Sequence, residues 1–191
     1  MLIIEGPDGS GKSHLVDVFE RLFNVRSLKF GGPPVDDADG RNRLDYLRGL
    51  DPDDFVMMDR CPITSEFVYG QVLRGSTRPP INEILDALGQ LRERTNPVIV
   101  MCQNPAGSTE TIDTTTEKSW KPPALHAAVA AKFPEILERY EILRENLSSL
   151  DFDVIDWNFR TKSPGRLISA VVHRVYRRFP EVWFFDSRNA T

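Results

Sequence analysis

Apolar residues along this chain follow two rhythms. Short apolar-rich runs at Leu2 to Ile4, Ser27 to Phe30, Phe55 to Met58, Val98 to Cys102 and Phe152 to Ile155 each end near a turn or polar boundary and predict β-strands. Between them the spacing changes to three and four, which predicts helices with one apolar face. One such stripe is Leu15, Val18, Phe19, Leu22 and Phe23; a second, behind Pro79-Pro80, is Ile81, Ile84, Leu85, Leu88 and Leu91. A third contains Phe133, Ile136, Leu137, Tyr140 and Leu147. The last, Leu167, Ile168, Val171, Val172 and Val175, follows Ser163-Pro164, a cap and first-turn proline. Strands alternating with helices predict an α/β fold, a central parallel sheet of about five strands covered on both faces. The chain has no internal repeat and no long low-complexity linker.

The first run leads through Glu5 into Gly6-Pro7-Asp8-Gly9-Ser10-Gly11-Lys12-Ser13, which fits G-x-x-x-x-G-K-[ST], a phosphate-binding loop. Glycines let backbone N–H groups turn inward around an anion, Lys12 suits the β and γ phosphates, and the Ser13 hydroxyl suits magnesium. Residues Gly6 through Ser13 are therefore the candidate ATP site, with ATP and Mg2+ as the implied ligands. The helix that follows points its positive dipole end at the same phosphates. The competing reading is a glycine-rich turn that binds nothing.

Composition fits a single domain spanning residues 1–191, with 40% hydrophobic and 27% charged residues. No segment approaches the roughly 18 apolar residues that span a bilayer, and no basic region precedes an apolar core at the N-terminus. No membrane partner is expected, and the default location is cytoplasmic, the host cytoplasm if the protein is viral. A formal charge of -4 argues against a protein that coats nucleic acid nonspecifically, although Arg174, Arg177 and Arg178 form a local basic group. Cys61 and Cys102 lack a metal or redox spacing and are read as reduced structural thiols. His14, His126 and His173 share no metal-ligand spacing either.

In parallel sheets, ligands bind at the carboxyl ends of strands. After the third run come Asp59-Arg60, then Ser65-Glu66-Phe67-Val68-Tyr69-Gly70, then Arg74-Gly75. Asp59 suits a magnesium-bound water or the proton of an acceptor hydroxyl, and Arg60 suits phosphate charge. Lys12, Asp59 and Arg60 are the candidate catalytic residues; Ser13 and Asp59 are the candidate metal ligands. A surface ion pair at a strand end is the alternative for Asp59-Arg60.

The acidic residue inside the loop, together with Asp59-Arg60 and the polar, aromatic stretch behind it, resembles the thymidylate kinase family of P-loop kinases. By motif the resemblance covers about the first 75 residues, and beyond them only the order of elements. It implies a P-loop kinase three-layer sandwich and an ATP-dependent phosphotransferase. Asp8 would contact the acceptor sugar and Arg60 the acceptor. Tyr69 and Arg74 complete the candidate acceptor-binding set: Tyr69 suits stacking on a pyrimidine, and Arg74 a hydrogen bond to its carbonyl edge. Phe67 is read as core.

Three departures qualify the resemblance. Family members carry Arg-Glu-Pro after the second strand, where this chain has Lys29-Phe30-Gly31-Gly32-Pro33-Pro34. The family's aromatic residue that packs on the deoxyribose lies one position earlier than Tyr69. Residues 103–121, a lid-like segment or a plain connecting loop, offer only Lys118 and Lys121 as cations, and Lys lacks the planar fork of Arg.

The missing arginine points toward an acceptor without a free monophosphate in the usual place. A phage subfamily similar to thymidylate kinases phosphorylates the hydroxymethyl group of 5-hydroxymethyl-deoxyuridine within DNA, and the chain leans to that reading. A dTMP or deoxynucleoside monophosphate kinase is the first alternative; a nucleotide-binding switch or NTPase without an acceptor is the second. The expected partners are ATP and a thymidine-like nucleotide or modified DNA. Trp120 suits a flipped base or a loop hinge, and Asp156-Trp157-Asn158 lies where related kinases hold adenine. The aromatic tail, residues 179–191, suits a packing or partner surface. The oligomeric state is left open, a dimer included.

Overall fold

The computed structural model describes residues 1–103 and 123–181. Residues 104–122, with Lys118, Trp120 and Lys121, on which the lid or connecting-loop expectation falls, and the tail beyond residue 181 lie outside the described residues.

Strand β1, Leu2–Glu5, is buried along its whole length, as expected for a strand covered on both faces. It feeds the glycine loop, and helix α1, Lys12–Phe23, starts directly behind. The buried face of α1 is Leu15, Val16, Phe19 and Phe23, so Val16 takes an inward place while Val18 and Leu22 sit at its margin. Helix α2, Asp37–Arg48, precedes strand β2, Met57–Asp59. A helical segment then runs as α3, Pro62–Ser65, a π-helical turn, Glu66–Gly70, and α4, Gln71–Arg74. Helix α5, Ile81–Thr95, leads to β3, Val98–Cys102. Helices α6, Pro123–Ala131, and α7, Phe133–Ser149, precede β4, Asp153–Trp157, and α8, Pro164–Arg178, follows it.

The sheet is parallel, in the order β2-β1-β3-β4, with Ile3 in register with Met58 and Ile99. Alternate strand residues serve two cores. Ile3, Met58, Ile99 and Met101 pack with residues of α3, α5 and α7, whereas Leu2, Ile4, Met57, Val98 and Val100 pack with α1 and α8. This is the expected α/β sandwich of helix, sheet and helix.

Among the described residues the sheet has four strands, not about five. Of the run Ser27 to Phe30, only Leu28 joins the sheet, as an isolated parallel bridge to Met58. The Ser27 amide and hydroxyl both donate to the Glu20 carboxylate, at 2.9 and 2.6 Å, so that amide is taken before the sheet begins. Beyond Phe30 the chain enters Gly31-Gly32-Pro33-Pro34, whose prolines have no N–H to pair. Strand β4 also extends further than expected: Asp156 and Trp157 belong to it rather than to the loop behind.

Candidate functional site

The loop is built by close approach. Gly6 has φ 143°, and a Cβ there would lie 2.3 Å from the Cys102 carbonyl oxygen of β3, so only glycine lets the chain pass. Gly11, at φ 80°, caps α1 and sits against the Trp157 ring, 3.2 Å from where its Cβ would be. The Lys12 ammonium folds back over the loop, donating to the Pro7 carbonyl and lying 3.4 Å from the Ser10 hydroxyl, which itself donates to Pro7 O at 2.7 Å. Burial pushes Lys12 from its ordinary 10.5 down to about 8; the Arg60 cation adds to this, and Asp8 opposes it.

Arg60 stands just behind β2 with φ 67°, a left-handed conformation uncommon for any residue with a Cβ. Its amide donates to the Ile4 carbonyl at 3.0 Å, which fixes it to β1. Its guanidinium donates to the Asp8 carboxylate at 2.5 Å and lies 5.1 Å over the Tyr69 ring. Tyr69 meets Tyr140 edge to face at 6.1 Å, and the Tyr140 hydroxyl donates to Glu5 at 3.0 Å. Burial raises the Tyr69 phenol to about 12, so it stays neutral.

Glu5 is wholly buried and gathers four donors: the Gly6 amide at 3.1 Å, the Cys61 amide at 3.2 Å, and the hydroxyls of Thr64 and Tyr140. It ties the loop, α3 and α7 to the end of β1. Its only mark in the sequence is its place, an acidic residue closing an apolar strand before the loop; the partners that define the role come from the fold.

Beside this cluster, at the carboxyl end of the sheet, a cavity of about 680 Å³ is lined by Asp8, Gly9, Gly11, Lys12, Ser13, Asp59, Arg60 and Tyr69 among others. Asp59 pairs with Lys29 at 3.4 Å. Arg74 is not among the lining residues; its guanidinium is bonded to the Glu66 carboxylate, which also accepts the Arg78 amide at 2.7 Å. Glu66 itself lines the cavity. So does Arg43 of α2, held by Asp39 at 3.0 Å and by the Gly32 carbonyl at 2.8 Å. Sequence reasoning missed both residues, because no motif marks them and their elements bring them in from a distance. Phe67 is buried, with Arg139 4.8 Å over its ring. Cys61 and Cys102 are free and buried.

A parallel sheet between helix layers, with a glycine loop behind its central strand, defines the class as P-loop kinase-like in fold. No family model matches the chain, and no curated protein matches it. Among solved structures it is similar in fold to the YorR protein of Bacillus subtilis, crystallised in complex with phosphorylated GDP. The TM-score is 0.66 at 17% identity, over 91% of this chain and 94% of that one. No described helix is long and apolar enough to cross a membrane.

Proposed function

We propose that the protein is an ATP-dependent kinase that transfers the γ-phosphate to a thymidine-like acceptor, foremost the hydroxymethyl group of 5-hydroxymethyl-deoxyuridine in DNA. The observation that carries this reading is the Asp8–Arg60 pair, a carboxylate within the phosphate loop held 2.5 Å from the arginine behind β2. A nucleotide switch has no use for that pair or for the aromatic ring beneath it. The YorR complex with phosphorylated GDP adds support for a nucleotide in this fold.

The π turn supports Tyr69 in this role despite its offset: an i to i+5 turn holds more residues than an α turn, and the Tyr69 ring lies 5.1 Å from the Arg60 guanidinium. In the reaction the acceptor hydroxyl oxygen bonds to the γ-phosphorus, the bond to the β-phosphate oxygen breaks, and ADP leaves. Lys12 and the loop amides neutralise the charge that spreads over the transferring group. Asp59 takes the hydroxyl proton, or would hold a water of the bound ion, and Arg60 holds the acceptor with Asp8.

Magnesium takes few protein oxygens and keeps waters and substrate phosphates. The Ser13 hydroxyl and Asp59 carboxylate, on the same cavity, suit that donor set, and no group of three or more His, Cys, Asp or Glu side chains forms a metal site among the described residues. When bound, the ion would supply neutralisation of phosphate charge.

A free deoxynucleoside monophosphate is the second reading, favoured by Arg43 and Lys29. Both line the cavity and offer the cations that the missing Arg-Glu-Pro segment does not. Labelled γ-phosphate from ATP separates these readings. Transfer to hydroxymethylated DNA supports the first and transfer only to dTMP the second. Hydrolysis indifferent to every acceptor overturns both.

A further inference from the structure

We propose that Glu66 selects the acceptor base, accepting a hydrogen bond from the imide N–H of a thymine-like pyrimidine. This rests on the kinase reading above and deepens it. Glu66 is 4% exposed and lines the cavity. Its Oε1 is occupied by Arg74 and the Arg78 amide, whereas its Oε2 is buried without a hydrogen-bond partner. Such an oxygen is costly to leave unpaired, and a ligand that brings a donor removes that cost.

The carboxylate has a made seat. A Cβ at Gly70 would stand 2.5 Å from Oε1 and 3.0 Å from the Arg74 guanidinium, so the bare backbone there is what admits the pair. Burial raises the Glu66 carboxyl, and the Arg78 amide and the Arg74 and Arg43 cations oppose the rise. An ionised carboxylate only accepts hydrogen bonds. Next to it, Ser65 lines the same cavity with a buried hydroxyl that also lacks a partner, and a hydroxyl can donate.

A ring edge that offers N–H beside C=O fits this pair, and thymine has that edge. Cytosine carries its donor on the exocyclic amine, one position along the same edge, so a ring seated with its N3 at Glu66 would turn an unprotonated nitrogen and its lone pair to the carboxylate. In that seat the carboxylate favours thymine over cytosine.

The test is equilibrium binding with a non-hydrolysable ATP analogue present. The ligands are 5-hydroxymethyl-deoxyuridine, its N3-methyl derivative and 5-hydroxymethyl-deoxycytidine, each as the free monophosphate and within a short single-stranded oligonucleotide. Wild-type protein should bind the N3-methyl and cytosine ligands about ten- to a hundredfold more weakly than the first, as expected for loss of a hydrogen bond to a charged group. Glu66→Gln, whose amide can donate, should narrow or reverse the preference against cytosine while its affinity for the ATP analogue stays unchanged. Equal binding of the three bases by wild type, or undiminished discrimination in Glu66→Gln, overturns the assignment to Glu66 alone. Wild-type protein that binds none of the bases in either form overturns the kinase reading, and this assignment with it.

Discussion

Lys12 is the residue on which opposing demands meet. Its charge is needed by a triphosphate, yet without one the ammonium is buried on the Pro7 carbonyl and its pKa falls to about 8. A lysine depressed in the folded state binds fewer protons there than in the unfolded chain between about pH 8 and 10.5. Stability must therefore rise with pH across that window, and the strain is fully present below it. A shift of this size corresponds to ~3 kcal/mol. Lys12→Met should thus stabilise the nucleotide-free fold by up to that amount at pH 7, with the gain over wild type fading between pH 8 and 10.5; urea unfolding of both proteins across this range checks it. Burial raises the Cys61 and Cys102 thiols to about 12, and their titration opposes the rise in stability with pH; the Cys61 part cancels in the difference, whereas Cys102 is coupled to Lys12 itself. In the phosphoryl-transfer assay, Lys12→Ala should lose turnover by several orders of magnitude with an unchanged circular dichroism spectrum. At this scale the loop was legible in the sequence because its backbone chemistry tolerates few residue types. Glu5, Arg43 and Glu66 were not, since their roles depend on partners 56 to 135 positions away for Glu5, or on a seat at Gly70 that only the folded helix reveals.

Elements were read well where one face is apolar throughout and poorly where burial is sparse. Helix α2 buries only Gly40, Leu44 and Leu47 in twelve residues, and its start is set by the Asp36 side chain accepting from the Asp39 amide at 2.8 Å. Its pattern gives no continuous stripe to detect. The π turn leaves no periodic trace either, because it alters spacing by a single residue, yet it is what carries Tyr69 to Arg60. The fifth strand failed for a local reason, the capture of the Ser27 amide by Glu20. The docking of α7 on the sheet depends on a buried polar contact as well as apolar packing: Tyr140 reaches from its middle to Glu5 at the end of β1. Tyr140→Phe keeps the ring against Tyr69 and removes one donor from a buried carboxylate, which should cost about 1.5–3 kcal/mol. Denaturant midpoints with an unchanged m-value would record it; a loss under about 0.5 kcal/mol would show that the remaining donors to Glu5 suffice.

At the scale of the molecule, the cavity is walled by segments far apart in sequence: the phosphate loop, the Phe30 to Pro34 stretch, α2, the end of β2, the π turn and α6. The parallel topology accounts for this gathering, since it brings every strand end to one edge and leaves the connections to close over it. Sequence order alone predicted the edge but not which connections would fold over it. A donor nucleotide in that cavity would hold the loop to β1 and α1 and, through Asp8 and Arg60, to the start of α3 as well. Ligand that binds only the folded state stabilises it by about 2.7 kcal/mol at a hundredfold excess over Kd. A non-hydrolysable ATP analogue with magnesium should accordingly raise the thermal midpoint of wild type at that saturation, and should leave Lys12→Ala unmoved at the same concentration. Hydrogen exchange offers the spatial counterpart: protection should increase in the amides of residues 6–13 and also at Arg60 and Cys61, which bond to β1. Protection confined to residues 6–13 would mean that the loop binds nucleotide without engaging Arg60, and the Asp8–Arg60 pair would then be a structural brace rather than the link between donor and acceptor.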